Sequence, residues 1–459
     1  VTAAGATGLG AKVALVERHL LGGDCLNAGC VPSKCLIRSS RALFDIQNAG
    51  QYGISVPKPP KVDFAAVMER MRRLRARISR HDSASRLRGL GVDVFLGEGR
   101  FSDMDKLEVA GKTIRFKKAV IATGTRAAKP LIEGLADAGY LTNENVFSLT
   151  KRPQRLAVIG GGPLGCEMAQ AFCRLGSEVV LLHKHTHVLN REDSDAAEIL
   201  QKKFTIEGMR LILECQPKRV LKTGKGKVIY YENRGREESV IVDEILVGAG
   251  RAPNVEGLDL ELAKVEYDKR TGILVNDRLQ SSNPDIYAAG DVCLKQRFTH
   301  TADASARIVI QNALFMGEKK LSALSIPWCT YTDPEIAHVG MYEREAREKG
   351  IAVDTFIKPL SEVDRAIVDG EEEGFVKVIV KKGTDKILGA NIVARHAGEM
   401  ISEVSLAMAG NLGLEDIANV IHPYPTQAEA IKHVADAYNR TRLTSFFKNL
   451  FAGWLAWRR

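Results

Sequence analysis

The stretch that most constrains the fold is 155–159 (RLAVI), followed at once by Gly160–Gly165 (GGGPLG). Four apolar residues in a run of five read as a strand buried on both faces, as in a parallel sheet. The glycines permit a tight turn. They also let backbone N–H groups approach a pyrophosphate at the N-terminus of the helix that follows. Gly160, Gly162 and Gly165 are therefore candidate nucleotide-binding positions, and 178–182 is the next strand of the same unit. Elsewhere, short β-branched runs alternate with helical patterns: strands at 12–17, 118–123, 239–247 and 285–289, and a helix over 64–80. Residues 1–10 are small and Ala/Gly-rich, like a helix lying close on a sheet. From 327 onwards strands at 375–380 and 387–393 alternate with helices. The chain reads as α/β with parallel sheets.

At 459 residues it is long enough for about three domains. Hydrophobic residues at 45% and charged residues at 26% exclude a disordered or collagen-like chain. No run of eighteen apolar residues offers a membrane-spanning helix, and no signal peptide is expected. Eight cysteines in this length do not read as a secreted disulfide framework. The net charge of +9 is concentrated. Residues 70–88 hold eight Arg against Asp82, and residues 440–459 hold five basic residues and no acid, which leaves the remainder at −3. A globally basic nucleic-acid binder is not expected.

The most specific chemistry lies in 22–34 (GGDCLNAGCVPSK). Cys25 and Cys30 have four residues between them and enter a helix, whose N-terminal N–H groups and dipole favour a thiolate. A thiolate that forms and breaks a neighbouring disulfide is a redox centre. The alternatives are a static disulfide or half of a metal site, but a zinc site wants a second ligand pair at short spacing and none follows. Twenty-three residues after Gly160 stands His183, followed by Lys184, where NAD enzymes place a ribose-binding acid. A cationic pair there suits a 2′-phosphate, so NADPH is favoured and NADH stays open. The run His183, His185, His187 reads as a polar loop beside the phosphate in preference to a metal site.

CLNAGCVPSK, the internal GGGPLG, the IATGT and VGAGRAPN turns, IYAAGDV and TDPEIAHVG together resemble the class I pyridine nucleotide–disulfide oxidoreductases. That family includes dihydrolipoamide dehydrogenase, glutathione reductase and mercuric reductase. The likeness runs from residue 1 to about 438. It implies a homodimeric FAD enzyme, with an FAD domain over 1–150 and 275–326 and an NAD(P) domain over 151–274. Both are Rossmann-like. An α+β dimerisation domain over 327–439 and a tail over 440–459 follow. It also implies that Cys30 lies next to the flavin, that Cys25 meets substrate, and that Lys34 pairs with Glu167. Glu17 would take the FAD adenosine ribose. Asp291 would bind the FAD ribityl chain, Gly290, Thr123 and Gly124 in the neighbouring turns would also line the FAD site, and Gly250 would line the NAD(P) site. Glu17 also ends a strand, as a ribose acid should.

Two departures stand out. The family places its first strand and first GxGxxG directly before the position of Val1, so this sequence as written is expected to bind FAD poorly and a version extended by that segment tightly. The family's His-x-His-Pro-Thr-x-x-Glu reads here as 422–429 (HPYPTQAE), with Tyr424 in place of the catalytic His and Glu429 kept. A phenol with a pKa near 10 is a poor base at neutral pH. Mercuric reductases are similar in carrying Tyr there. They also carry a C-terminal cysteine pair, and FAGWLAWRR has none. His422 is expected to be an ordinary loop residue.

Residues 70–88 read as the solvated face of an amphipathic helix. In the tail, Leu443, Phe446, Phe447, Leu450, Phe451, Trp454 and Leu455 form a helical apolar stripe flanked by basic residues. That suits a membrane interface, or docking on the enzyme's own dimer surface. The expectation is a cytoplasmic FAD-dependent NAD(P)H oxidoreductase, peripheral on the inner face of the membrane if the tail binds lipid. Its acceptor would be a small-molecule disulfide, a thiophilic metal ion or a quinone. A catalytically degenerate dinucleotide-binding dimer is the remaining alternative, and no nucleic-acid partner is expected.

Overall fold

A computed structural model describes residues 1–459, which cluster into two units: 1–188 with 204–324, and 189–203 with 325–459.

The first unit begins with helix α1 (Thr2–Gly8), strand β1 (Ala14–Glu17), helix α2 (Gly23–Ala28), helix α3 (Cys30–Gln47) and helix α4 (Phe64–Ile78). Strands β2 (Asp93–Leu96) and β3 (Ala119–Ile121) follow. Then come β4 (Arg155–Ile159), α5 (Pro163–Arg174), β5 (Glu178–Leu182), β6 (Arg210–Ile212), β7 (Glu244–Val247), β8 (Ile286–Ala288) and α6 (Thr299–Phe315). The parallel sheet β6-β5-β4-β7 places Ile159 opposite Leu182 and Val247, so strands β5, β4 and β7 end together. Leu156, Ala157, Val158, Leu181, Ile245 and Leu246 have no more than traces of exposure, which is why these strands read as unbroken apolar runs. The chain leaves β4 towards β5 on one side and returns as β7 on the other, which opens a crevice at the carboxyl end of β4.

In the rest of this unit β1 pairs in parallel with β2, and β3 with β8. Helix α1 lies against helix α6: a Cβ on Gly5 would come within 2.7 Å of Ile310 Cδ1. Its small residues serve a close helix–helix approach. On α4 the apolar face is led by buried Phe64, Met68 and Met71, while Arg73 and Arg77 are exposed. The helix ends at Ile78 and tightens into a 3₁₀ turn over Ser79–Asp82.

The single strand expected over 239–247 is two strands in two sheets. Residues up to Val242 close an antiparallel three-stranded sheet, and β7 joins the parallel one. The break falls at Asp243. Its carboxylate accepts the backbone N–H of Arg155 (2.8 Å) and the Arg155 guanidinium (2.5 Å), so it turns out of the ladder.

The second unit holds β9 (Trp328–Thr330), β10 (Glu335–Gly340), β11 (Val353–Pro359), β12 (Phe375–Lys381) and β13 (Ile387–Ala394). They form a five-stranded antiparallel sheet in the order β9-β10-β13-β12-β11. Helices α7 (Ala397–Ala409) and α8 (Glu429–Arg442) build its core with the strands, through Met400, Ile401, Val404, Ile431 and Val434. Helix α9 (Ser445–Trp457) ends the chain. The tail boundary expected at 440 therefore moves, because Arg440–Arg442 complete α8. Segment 189–203 clusters here and not with the NAD(P) residues, for polar reasons. Buried Glu192 accepts from Trp328 Nε1 (2.7 Å) and Tyr342 Oη (2.5 Å), and Lys377 Nζ lies 3.1 Å from Asp193.

Candidate active site

Gly22 and Gly23 take positive φ (94° and 65°) and start α2, which carries Cys25 as its third residue. Gly29 then ends α2 and starts α3, with Cys30 as the first helical residue. A Cβ on Gly29 would lie 3.0 Å from the Asp24 carbonyl oxygen, so the approach of the two helices needs a glycine. Both thiols are free; Cys30 is exposed and Cys25 half-buried.

The pair shares a hydrogen bond with opposite effects on its members. The Cys25 thiol donates to Cys30, and this lowers the Cys30 pKa to about 6 against the opposing effect of burial. The Thr299 hydroxyl, 3.5 Å from Cys30 Sγ, and the charge of Lys34 lower it further. The same hydrogen bond and burial push the Cys25 thiol strongly upwards. In the dithiol state Cys30 holds the negative charge and Cys25 holds the proton. One turn along α3, Lys34 Nζ lies 2.9 and 3.1 Å from the two oxygens of Glu167, a buried carboxylate on α5. The i,i+4 spacing of Cys30 and Lys34 on α3 puts that ammonium on the thiolate's face.

A network that no sequence motif announces borders this pair. Asp24, next to Cys25, accepts from Arg251 Nη2 (2.5 Å) and from Asn143 Nδ2 (3.1 Å). Arg251 Nε also donates to the Thr125 hydroxyl (2.7 Å), and that hydroxyl in turn donates to Asp291 Oδ2 (3.0 Å). Burial raises the Asp24 pKa, and Arg251 opposes this. Arg75 on α4 donates to the Asn27 carbonyl (3.0 Å), so the Arg-rich helix also steadies the segment between the cysteines. Thr299 starts a helix far along the chain, and Asp24 and Arg251 are 227 residues apart. Only the placement of Asp24 beside Cys25 and of Arg251 inside GAGRAPN was visible in advance.

At the carboxyl end of β4, Gly160 has φ +112°, and a Cβ there would meet Gly248 O at 2.6 Å. A Cβ on Gly165 would meet Gly160 O at 1.8 Å, whereas one on Gly162 meets nothing within 4 Å. Gly162 caps α5 with no side-chain hydrogen bond, so no side chain caps the first turn of the helix, which opens on Pro163. This is a cradle that fits a dinucleotide pyrophosphate. Gly250, exposed with φ +113°, lies just beyond β7.

His183 corrects the sequence reading. Its ring is buried and its Nδ1 accepts the Gly161 N–H at 2.9 Å, while Nε2 has no partner. Burial, with the neighbouring His185, His187 and Lys184, lowers its pKa to about 4. It is a neutral brace for the glycine turn, not half of a cationic pair; Lys184 alone is the exposed cation there.

The residues assigned to FAD occupy the same unit. Half-buried Glu17 ends β1 and accepts the His19 N–H (2.9 Å); half-buried Asp291 follows β8 and buried Gly290 has φ +75°. Two carboxylates at strand ends fit the hydroxyl-bearing parts of FAD. Thr123 donates to Asn254 O (2.7 Å) while Asn254 Nδ2 returns a bond to Thr123 O (2.9 Å), so this hydroxyl joins two turns; Gly124 beside it has φ +67°.

Tyr424 and Glu429 belong to the second unit. Tyr424 is exposed, and its phenol donates to Asp364 Oδ2 (3.0 Å), which raises its pKa further. Glu429 starts α8, with His433 Nε2 at 4.0 Å. His422 is held with Nδ1 3.1 Å from Val420 O and Nε2 2.8 Å from Glu403. Both ring nitrogens thus face acceptors within the second unit.

Residues 1–307 match the model of the pyridine nucleotide-disulphide oxidoreductases, and residues 326–435 match that family's dimerisation domain. This chain belongs to the pyridine nucleotide-disulphide oxidoreductase family. It is 37% identical over 431 residues to a mercuric reductase of Staphylococcus aureus, covering 94% of this chain and 79% of the relative. It is 34% identical over 428 residues to a dihydrolipoyl dehydrogenase of Mycoplasma pneumoniae, covering 92% of each. Among solved structures it resembles the HOCl-induced flavoprotein disulfide reductase RclA of Escherichia coli. The TM-score is 0.84 at 26% identity, over 95% of this chain and 96% of the other, and RclA is also known as a Cu(II) complex. As a family member this oxidoreductase is an FAD-dependent enzyme that uses NAD(P)H, and its dimerisation domain fits a homodimer.

Proposed function

We propose that this oxidoreductase passes electrons from NAD(P)H through the Cys25–Cys30 pair to a thiophilic metal ion or, less readily, to a small disulfide. The observation that carries this is the split pair itself: a Cys30 thiolate at the head of α3, held by the Cys25 proton, Thr299 and the Lys34 charge. FAD, when bound, supplies the two-electron relay between nicotinamide and the disulfide. The chain's own residues do the rest. The glycine cradle over Gly160–Gly165 holds the dinucleotide, Lys34–Glu167 fixes a charge pair beside Cys30, and Arg251 anchors the short helix carrying Cys25 through Asp24.

Tyr424 decides between acceptors. Disulfide exchange needs a base to take the Cys25 proton and return it to the departing thiol. Tyr424, with a raised pKa and its proton committed to Asp364, is poorly suited to that relay. A soft divalent ion displaces the thiol proton by binding sulfur, and its reduction leaves the pair as a disulfide with the protons in solvent. The relatives named mercuric reductase, and RclA with Cu(II), support a metal acceptor.

The test is an acceptor panel on FAD-loaded protein. Hg(II), Cu(II), lipoamide, glutathione disulfide and quinones are each tried with NADH and NADPH, for the wild type, Cys25→Ser and Tyr424→His. We expect metal-dependent NAD(P)H oxidation that Cys25→Ser abolishes, and disulfide turnover that Tyr424→His improves. Quinone reduction that survives Cys25→Ser, with no metal or disulfide turnover, overturns the proposal. Cofactor binding without oxidation against any acceptor marks a degenerate dimer.

A further inference from the structure

We infer that α9 is a lipid-binding helix that lies in the interface of an anionic bilayer. Its thirteen residues hold Phe446, Phe447, Leu450, Phe451, Trp454, Leu455 and Trp457, each between 44% and 77% exposed. No residue of α9 is buried. At 3.6 residues per turn the seven fall within an arc of about 180°, with Ser445, Lys448 and Asn449 on the opposite side. The rings gather along that face: Phe447 lies 6.3 Å from Phe451 and Trp454 5.2 Å from Trp457.

Charge selects the occupant. Residues 440–459 carry Arg440, Arg442, Lys448, Arg458 and Arg459 and no acid, which leaves +4 of the chain's +9 on the other 439 residues. A second copy of a chain that is basic even without its tail offers no net attraction to this segment. An anionic lipid surface does, and Trp and Phe are the side chains that settle at headgroup level. The helix cannot span: thirteen residues reach about 20 Å against a hydrocarbon core of about 30 Å. No helix of the chain is long and apolar enough to cross a membrane. The inference is independent of the proposed acceptor chemistry.

The test uses the full chain with vesicles of phosphatidylcholine alone or with phosphatidylglycerol at about three to one. It is read by flotation and by tryptophan emission; two of the three tryptophans lie in α9. We expect flotation with the mixed vesicles, a blue shift, and release by high salt. Affinity should fall by roughly tenfold or more without the anionic lipid and in Phe451→Glu. Asn449→Glu makes the same charge change on the polar side and should cost only a few-fold. The inference fails if the protein does not float with anionic vesicles, or if Phe451→Glu and Asn449→Glu behave alike. It also fails if light scattering shows that Phe451→Glu dissociates a larger assembly while vesicles are ignored, which would make a second copy the occupant.

Discussion

Lowering the pH from 7 to 5 should destabilise the first unit through His183. The folded protein holds this imidazole neutral, with a pKa of about 4, because its ring is buried and Nδ1 accepts the Gly161 N–H. In the unfolded chain it titrates near 6.5. Between those values the unfolded state binds more protons, so stability rises with pH. The contribution is fully present above about 6.5 and declines as pH falls towards 4. From pH 7 to 5 the loss is roughly 2 kcal/mol. Urea denaturation of wild type and His183→Asn at both pH values isolates it. Asn can present an oxygen near the place of Nδ1, and any cavity it leaves costs the same at either pH. The wild type should lose roughly 2 kcal/mol more than the variant. His338, neutral for the same reason in the second unit, is common to both proteins. A His183 ring resonance that titrates near 6.5 in the folded protein, or equal losses in both proteins, would refute the reasoning.

Three other predictions concern the site. Gly162→Ala should leave thermal stability nearly unchanged yet raise the KM for NAD(P)H, since its Cβ enters only the open cradle; Gly165→Ala should lower the melting temperature by several degrees, since its Cβ would fall 1.8 Å from Gly160 O. Lys34→Met should cost roughly 2 kcal/mol in urea unfolding, less than the loss of a fully buried pair because Lys34 is a third exposed. It should also raise the Cys30 pKa, followed by thiolate absorbance. Lys184→Glu should raise the KM for NADPH several-fold more than that for NADH, because His183 carries no charge to share the work with it.

The parts of this molecule that could be read from the sequence are those whose partners are near in the chain. The turn after β4 and the Cys25–Cys30 segment are local patterns, and each imposes its geometry within a few residues. Lys34 and Glu167, and the Tyr424 substitution, became visible through the family resemblance, which supplies long-range pairings that spacing does not. What stayed hidden depends on tertiary placement. His183 stands where a ribose ligand is expected, but the fold turns its ring inwards onto Gly161, and desolvation then removes its charge. Asp243 divides one apolar run between two sheets by binding Arg155. Segment 189–203 is drawn to the second unit by one buried carboxylate, Glu192, whose indole and phenol donors lie more than a hundred residues away. None of these has a periodicity to detect.

The central claim is that the Cys25–Cys30 pair carries the electrons. It is tested most directly by anaerobic titration of the FAD-loaded protein with NADPH, with alkylation and peptide mass analysis at each step. One equivalent per active site should convert Cys25 and Cys30 from disulfide to two alkylatable thiols, and adding Hg(II) should return them to the disulfide. NADPH oxidation by the same acceptor with no change in the labelling of either cysteine would contradict it.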